Sequence, residues 1–197
     1  NIMPLGANKA AIMGVAGVST GDVVLLSSQT ASNSASIAFT SDITSTYGEY
    51  IFKFYAINPA TDVTSFSFQA NAVGASGYNE TITSTFFRNY HAEDDSEAGF
   101  AYLPANDQAQ GTAYQDLTEY QGNGADECSV GELHIFNPSS TTYLKQFFGV
   151  SSNYHRSNFH ANYYYAGYLN VTAAIDEIQF KMSSGNFDGT IKMWGVK

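Results

Sequence analysis

Apolar residues recur at every second position in about a dozen short runs, and this alternation limits the chain to strands. Residues 34–40 place Ala35, Ile37 and Phe39 on one side. Residues 63–70 place Phe66 and Phe68 on one side and Ser65, Ser67 and Gln69 on the other. Residues 49–57 set Tyr50, Phe52, Phe54 and Ala56 against Ile51, Lys53, Tyr55 and Ile57, which is apolar on nearly both sides and predicts a central strand. Weaker runs cover 22–26, 81–90, 99–103, 115–120, 132–136, 142–150, 163–170, 176–182 and 190–196. No stretch holds a helical period, and 170–177 is short and β-branched, with room for one helical turn. Short strands divided by turn residues at regular spacing predict a sandwich or barrel.

Turn chemistry narrows the choice. Ile57-Asn58-Pro59-Ala60-Thr61 and Phe136-Asn137-Pro138-Ser139-Ser140 each join two strong strands. Pro suits the second position of a turn, and Asn before it bonds to the backbone ahead. Two matching hairpins, one in each half, suit the two Greek keys of a jelly roll. Near the end, Gly185, Asn186, Asp188 and Gly189 form a tight reversal that would pair 178–182 with 190–194. In the last strand Ile191, Met193 and Gly195 point one way, and Thr190, Lys192, Trp194 and Val196 the other. The expected fold is an all-β, antiparallel jelly-roll β-sandwich over residues 22–197, a single domain. A short glycine-rich apolar arm, residues 1–21, precedes it. The arm opens Met3-Pro4-Leu5-Gly6 and carries Gly14, Gly17 and Gly21, so it is a candidate for docking on its own domain or on a neighbouring subunit, the alternative being a frayed terminus. It lacks a basic start and an unbroken apolar core, and so reads as neither a signal peptide nor a membrane span.

Charge excludes several partners. The chain has 197 residues and a net charge of −10, with only 8 Lys and Arg. Phosphate backbones and anionic membrane surfaces both demand basic side chains, so neither nucleic acid nor membrane insertion is expected. Charged residues make up only 13% of the chain, while Tyr and Phe number 14 each. Surface polarity must then come from Ser, Thr, Asn, Gln and Gly, which suits packing against copies of itself or against sugars. The single cysteine, Cys128, follows two acids and rules out an intrachain disulfide.

Motifs with chemical meaning are sparse. Glu93-Asp94-Asp95-Ser96-Glu97 offers oxygen ligands for calcium but lacks the spacing of an EF-hand, and reads first as a solvated loop. Glu49, Glu132, Asp176 and Glu177 are the strand-borne acids that a glycoside hydrolase would need in pairs. His91, His134, His155 and His160 show no metal-binding spacing, and neither a Gly-x-Ser-x-Gly elbow nor a P-loop occurs. No cofactor is implied. The sequons at Asn79 and Asn170 read as chance. The densest aromatic region runs through Tyr154, His155, Arg156, Phe159 and His160 to Tyr163-Tyr164-Tyr165. In a strand either Tyr164 or the pair Tyr163 and Tyr165 must face the core. Exposed aromatics stack on sugar rings and anchor interfaces. Tyr154, His155, Arg156 and His160 are therefore the candidate contacts for a glycan or a protein partner.

Several segments together resemble a family of bacteriophage virion structural proteins common in aquatic phages. They are Met3-Pro4-Leu5-Gly6-Ala7-Asn8-Lys9-Ala10, Glu80-Thr81-Ile82-Thr83-Ser84-Thr85-Phe86-Phe87, Ala109-Gln110-Gly111-Thr112, Phe136-Asn137-Pro138-Ser139-Ser140-Thr141-Thr142-Tyr143 and the closing stretch 178–196. The resemblance spans nearly the whole chain and carries no catalytic signature. It implies a non-enzymatic virion component, either a capsid decoration protein or part of a tail fibre. Its partners would be copies of itself and other virion proteins, and a host-surface glycan is the alternative ligand.

Overall fold

The computed structural model describes residues 22–197; the apolar head, 1–21, lies outside the described residues. The strands are β1 (Val23–Ser34), β2 (Ile37–Phe39), β3 (Glu49–Pro59), β4 (Phe66–Ala72), β5 (Ile82–Ala92), β6 (Ala98–Tyr102), β7 (Ala109–Gly111), β8 (Gln115–Asp116), β9 (Ser129–Phe136), β10 (Lys145–His155), β11 (Phe159–Leu169), β12 (Ile175–Met182) and β13 (Phe187–Val196). Every pairing is antiparallel, and the described residues contain no helix. A nine-stranded sheet runs β1-β13-β3-β9-β10-β11-β5-β6, with β7 also paired to β5. A four-stranded sheet runs β2-β12-β4-β8. The protein is an antiparallel β-sandwich.

The core forms where alternate side chains of the two sheets meet. Tyr50, Phe52 and Phe54 of β3, Ile191 and Met193 of β13 and Phe147 of β10 point inward from the large sheet. Phe66 and Phe68 of β4 and Ile178 and Phe180 of β12 meet them from the small one. Rings interlock across the gap: Phe52 against Phe180 at 5.4 Å, Phe54 against Phe66 at 5.3 Å and Phe68 against Phe147 at 5.2 Å. Burying each ring contributes about 2–3 kcal/mol, and each favourable ring pair adds roughly 1 kcal/mol more.

Three sequence expectations are corrected by the topology. Asn58-Pro59 does not turn a hairpin: both residues end β3, paired with Asp188 and Phe187, and 60–65 carry the chain across the sandwich to β4 in the other sheet. Asn137-Pro138 does stand in a hairpin connection, between the paired strands β9 and β10. The Ser-Gly-Asn turn at 184–186 also crosses between sheets, so β12 pairs with β2 and β4, and β13 with β1 and β3. The inward set of β3 is corrected as well. A register shift between Phe54 and Ile57, with Ala56 at φ 50°, turns Ile57 inward to join Phe54. Ser67 and Gln69 of β4 are buried too, because the 73–81 and 112–114 segments cover that side. The Gln69 amide donates to the carbonyls of Glu80 and Ala113 at 2.9 and 3.0 Å. Ile191 and Met193 point inward, as the alternation of the last strand requires, and Tyr163 and Tyr165 are the buried pair while Tyr164 is exposed.

Candidate binding face

No strand of the small sheet covers the outer side of the large one, and strand register arranges its side chains in transverse rows. One row runs Leu25, Trp194, Ile51, His134, Phe148, Ala166, Thr85 across seven strands. The next runs Ser28, Lys192, Lys53, Glu132, Val150, Tyr164, Phe87, Tyr102 across eight. Leu25 and Phe148 are about half exposed, and Phe100, beside Phe87, is 69% exposed. The His134 ring lies flat on Phe148 at 4.8 Å and 9°, and Phe136 stacks on Phe148 at 5.5 Å.

Charge on this face is internally matched. His134 Nδ1 lies 2.5 Å from Glu49 Oε1, and its Nε2 lies 3.3 Å from Glu132. Lys53 Nζ lies 3.1 Å from the other Glu132 oxygen. Burial works to raise the Glu132 carboxyl, but the neighbouring Lys53 and His134 outweigh it and hold the group below the usual carboxylate range. Asp176 and Glu177 stand on β12 in the opposite sheet, where Glu177 accepts the Tyr78 hydroxyl at 2.9 Å. Glu132 and Asp176 therefore do not flank a common groove.

The four candidate contact residues separate around the β10–β11 hairpin. Tyr154 and His160 are directly opposed in register on the outer face, and His91 of β5 is opposed to His160 in turn. With Ser152, whose hydroxyl lies 2.9 Å from His160 Nε2, they line a depression of about 380 Å³. Partial burial and the carboxylates of Glu93, Glu127 and Asp126 push the Tyr154 hydroxyl up. His155 points the other way. It is 4% exposed, its ring stacks on Phe159 at 3.9 Å, and burial with Arg88 and Arg156 nearby lowers it to about 4. Arg156 sits exposed at the hairpin tip, 5.6 Å over the Tyr120 ring. In the acidic loop His91 pairs with Asp95 at 3.1 Å, and among the described residues no group of three or more His, Cys, Asp or Glu converges as a metal site.

The aromatic outer face was only half visible in sequence. Its signal is the run 49–57 and the pair Phe148 and Val150, where apolar residues occupy both sides of a strand. Such runs predict a strand covered on both faces, yet among the described residues nothing packs over the outer one. The chain matches no protein-family model, and a search of curated proteins found no match.

Proposed function

We propose that this protein is a non-enzymatic structural component of a phage virion, built on a jelly roll and assembling at the particle surface as a capsid decoration or tail-fibre component. The observation that carries the reading is the strand order. Setting aside β5–β7 and β10–β11 leaves eight strands. In chain order, one sheet then runs first, eighth, third, sixth, and the facing sheet second, seventh, fourth, fifth. Two Greek keys folded over one another produce that interleaving, and viral capsid and lectin domains use it. Of the four strand-borne acids, Glu49, Glu132 and Glu177 are engaged by His134, Lys53 and Tyr78, while a buried carboxylate oxygen of Asp176 has no partner among the described residues. The test is electron cryo-microscopy and mass spectrometry of purified particles of the virus that encodes this chain. The expected result is a sandwich of this strand order in many symmetry-related copies. Absence of the chain from purified particles overturns the proposal.

A second reading, a host-glycan module, draws on the depression between Tyr154, His160, His91 and Ser152, which is large enough for a sugar ring. Titration with neutral and sialylated oligosaccharides checks it. Loss of binding in Tyr154→Ala supports the reading, and no binding by the native protein ends it.

A further inference from the structure

We propose that the open outer face of the large sheet is a two-fold interface between copies of this chain. The inference rests on the assembly reading above and names its surface and partner.

Three properties of the face point to a second copy. The first is size. Eight strands at about 4.8 Å spacing and roughly 25 Å of strand length give on the order of 1,000 Å². A standard interface needs about 800 Å² from each partner. The second is composition. Trp194, Ile51, Phe148 and Phe136 are apolar without a sugar's hydrogen-bonding demand, and they adjoin in rows that cross the middle of the sheet. Exposed apolar patches of this extent mark protein contacts.

The third is charge. The chain as a whole carries −10, so copies repel. On this face, the two rows above and the neighbouring row of Val23, Val196, Glu49 and Phe136 hold two lysines, Lys53 and Lys192, and two glutamates, Glu49 and Glu132. Their formal charges cancel. The surplus acids stand elsewhere, in loops such as 93–97 and 126–127. A two-fold operation presents the same patch to itself, so a neutral patch with both signs is self-complementary where an acidic one is not.

The strands that enlarge this face are those set aside above. β10, β11, β5 and β6 extend the sheet beyond the eight-stranded frame. In the second row they contribute only Val150, Tyr164, Phe87 and Tyr102, with no charge.

The experiment is sedimentation of the full chain up to about 100 μM, a range that captures micromolar association. The native protein is expected to form a dimer or an even-numbered oligomer. Phe148→Lys and Val150→Lys each place a charge at the centre of the face on an outward side chain, and each is expected to weaken association by at least roughly tenfold with unchanged circular dichroism. Tyr143→Lys, in the β9–β10 connection, is expected to change nothing. A monomeric native protein, or association indifferent to both face variants, overturns the inference. So does a monomer that binds neutral polysaccharide through Phe148, which gives the face to sugar. If particles hold the chain through other faces, the interface fails and the virion reading stands. If the dimer forms through this face but the chain is absent from particles, the virion reading fails and the interface stands.

Discussion

Two titratable groups, the half-buried Asp116 and the buried His155, pull stability in opposite directions with pH. Burial, with repulsion from Glu119 and against a hydrogen bond from Asn106, pushes the Asp116 carboxyl from 3.8 up to about 7. His155 is lowered from 6.5 to about 4. Between pH 4 and 7 the folded chain holds a proton on Asp116 that the unfolded chain has released, so stability falls as pH rises. Between pH 4 and 6.5 the unfolded chain protonates the histidine and the folded chain does not, so stability rises with pH. Each effect is worth roughly 3–5 kcal/mol over its window, and where the windows overlap the two oppose each other. Each single variant should expose the other slope. Asp116→Asn should show stability rising with pH across the His155 window, and His155→Gln should show it falling across the Asp116 window. Urea midpoints measured at several pH values check both, and flat profiles in the two variants would refute the assignment. Lys145 illustrates the same physics with its partners complete. Its buried ammonium shares its three N–H donors among the carbonyls of Ser140, Tyr143, Val171 and Thr172 at 2.6–3.1 Å, tying the β9–β10 connection to the segment before β12. Lys145→Met keeps the stem and strands four acceptors, so it should cost about 3 kcal/mol, seen as a lower urea midpoint at unchanged slope.

Individual strands depend on close approaches that only certain residues permit. Tyr165 of β11 lies across Gly149 of β10, its partner in register, and its hydroxyl donates to the Glu132 carbonyl at 2.9 Å. A Cβ on Gly149 would fall 2.4 Å from the Tyr165 ring and 2.2 Å from the Glu132 carbonyl oxygen. Gly149→Ala should therefore displace a fully buried ring and cost about 2–3 kcal/mol, and thermal unfolding measures it. Gly149 could not be singled out in sequence, since a glycine inside a strand marks a bulge, a bend or a close approach alike. What was legible was existence and facing: twelve of the thirteen observed strands overlap one of the predicted runs, and the inward side of β13 follows from its period. What was not legible was partnership. The Asn-Pro and Ser-Gly-Asn turns have the same local chemistry whether the chain folds back on its neighbour or steps to the facing sheet, because turn residues set dihedral angles and not the destination of the next strand. β7 was missed because three residues, Ala109–Gly111, cannot display a period. Of the candidate contacts, Tyr154 and His160 share the outer face because their register opposes them. His155 faces inward because it is one residue out of phase with Tyr154.

At the scale of the whole molecule, acids crowd the loops while the large sheet keeps a neutral outer face, and this division predicts how association responds to salt. Two approaching copies, each at −10, feel a long-range repulsion carried mainly by groups outside the contact. Screening shortens that repulsion to about 10 Å at roughly 0.1 M salt. The attraction at the face comes from apolar contact, which salt does not screen, and from a few short-range pairs such as Lys53 with Glu132. Raising sodium chloride from about 0.02 M to about 0.3 M should therefore strengthen self-association several-fold. A contact held by ion pairs would weaken instead. Lowering the pH towards the sequence pI of about 4.5 should act in the same direction, by discharging the loop acids rather than screening them. Sedimentation across the salt series, with Phe148→Lys as the face-disrupted control, separates the two. Tighter association with salt in the native protein and none in the variant is the expected pair of results; weakening with salt would place the contact on a charged surface elsewhere.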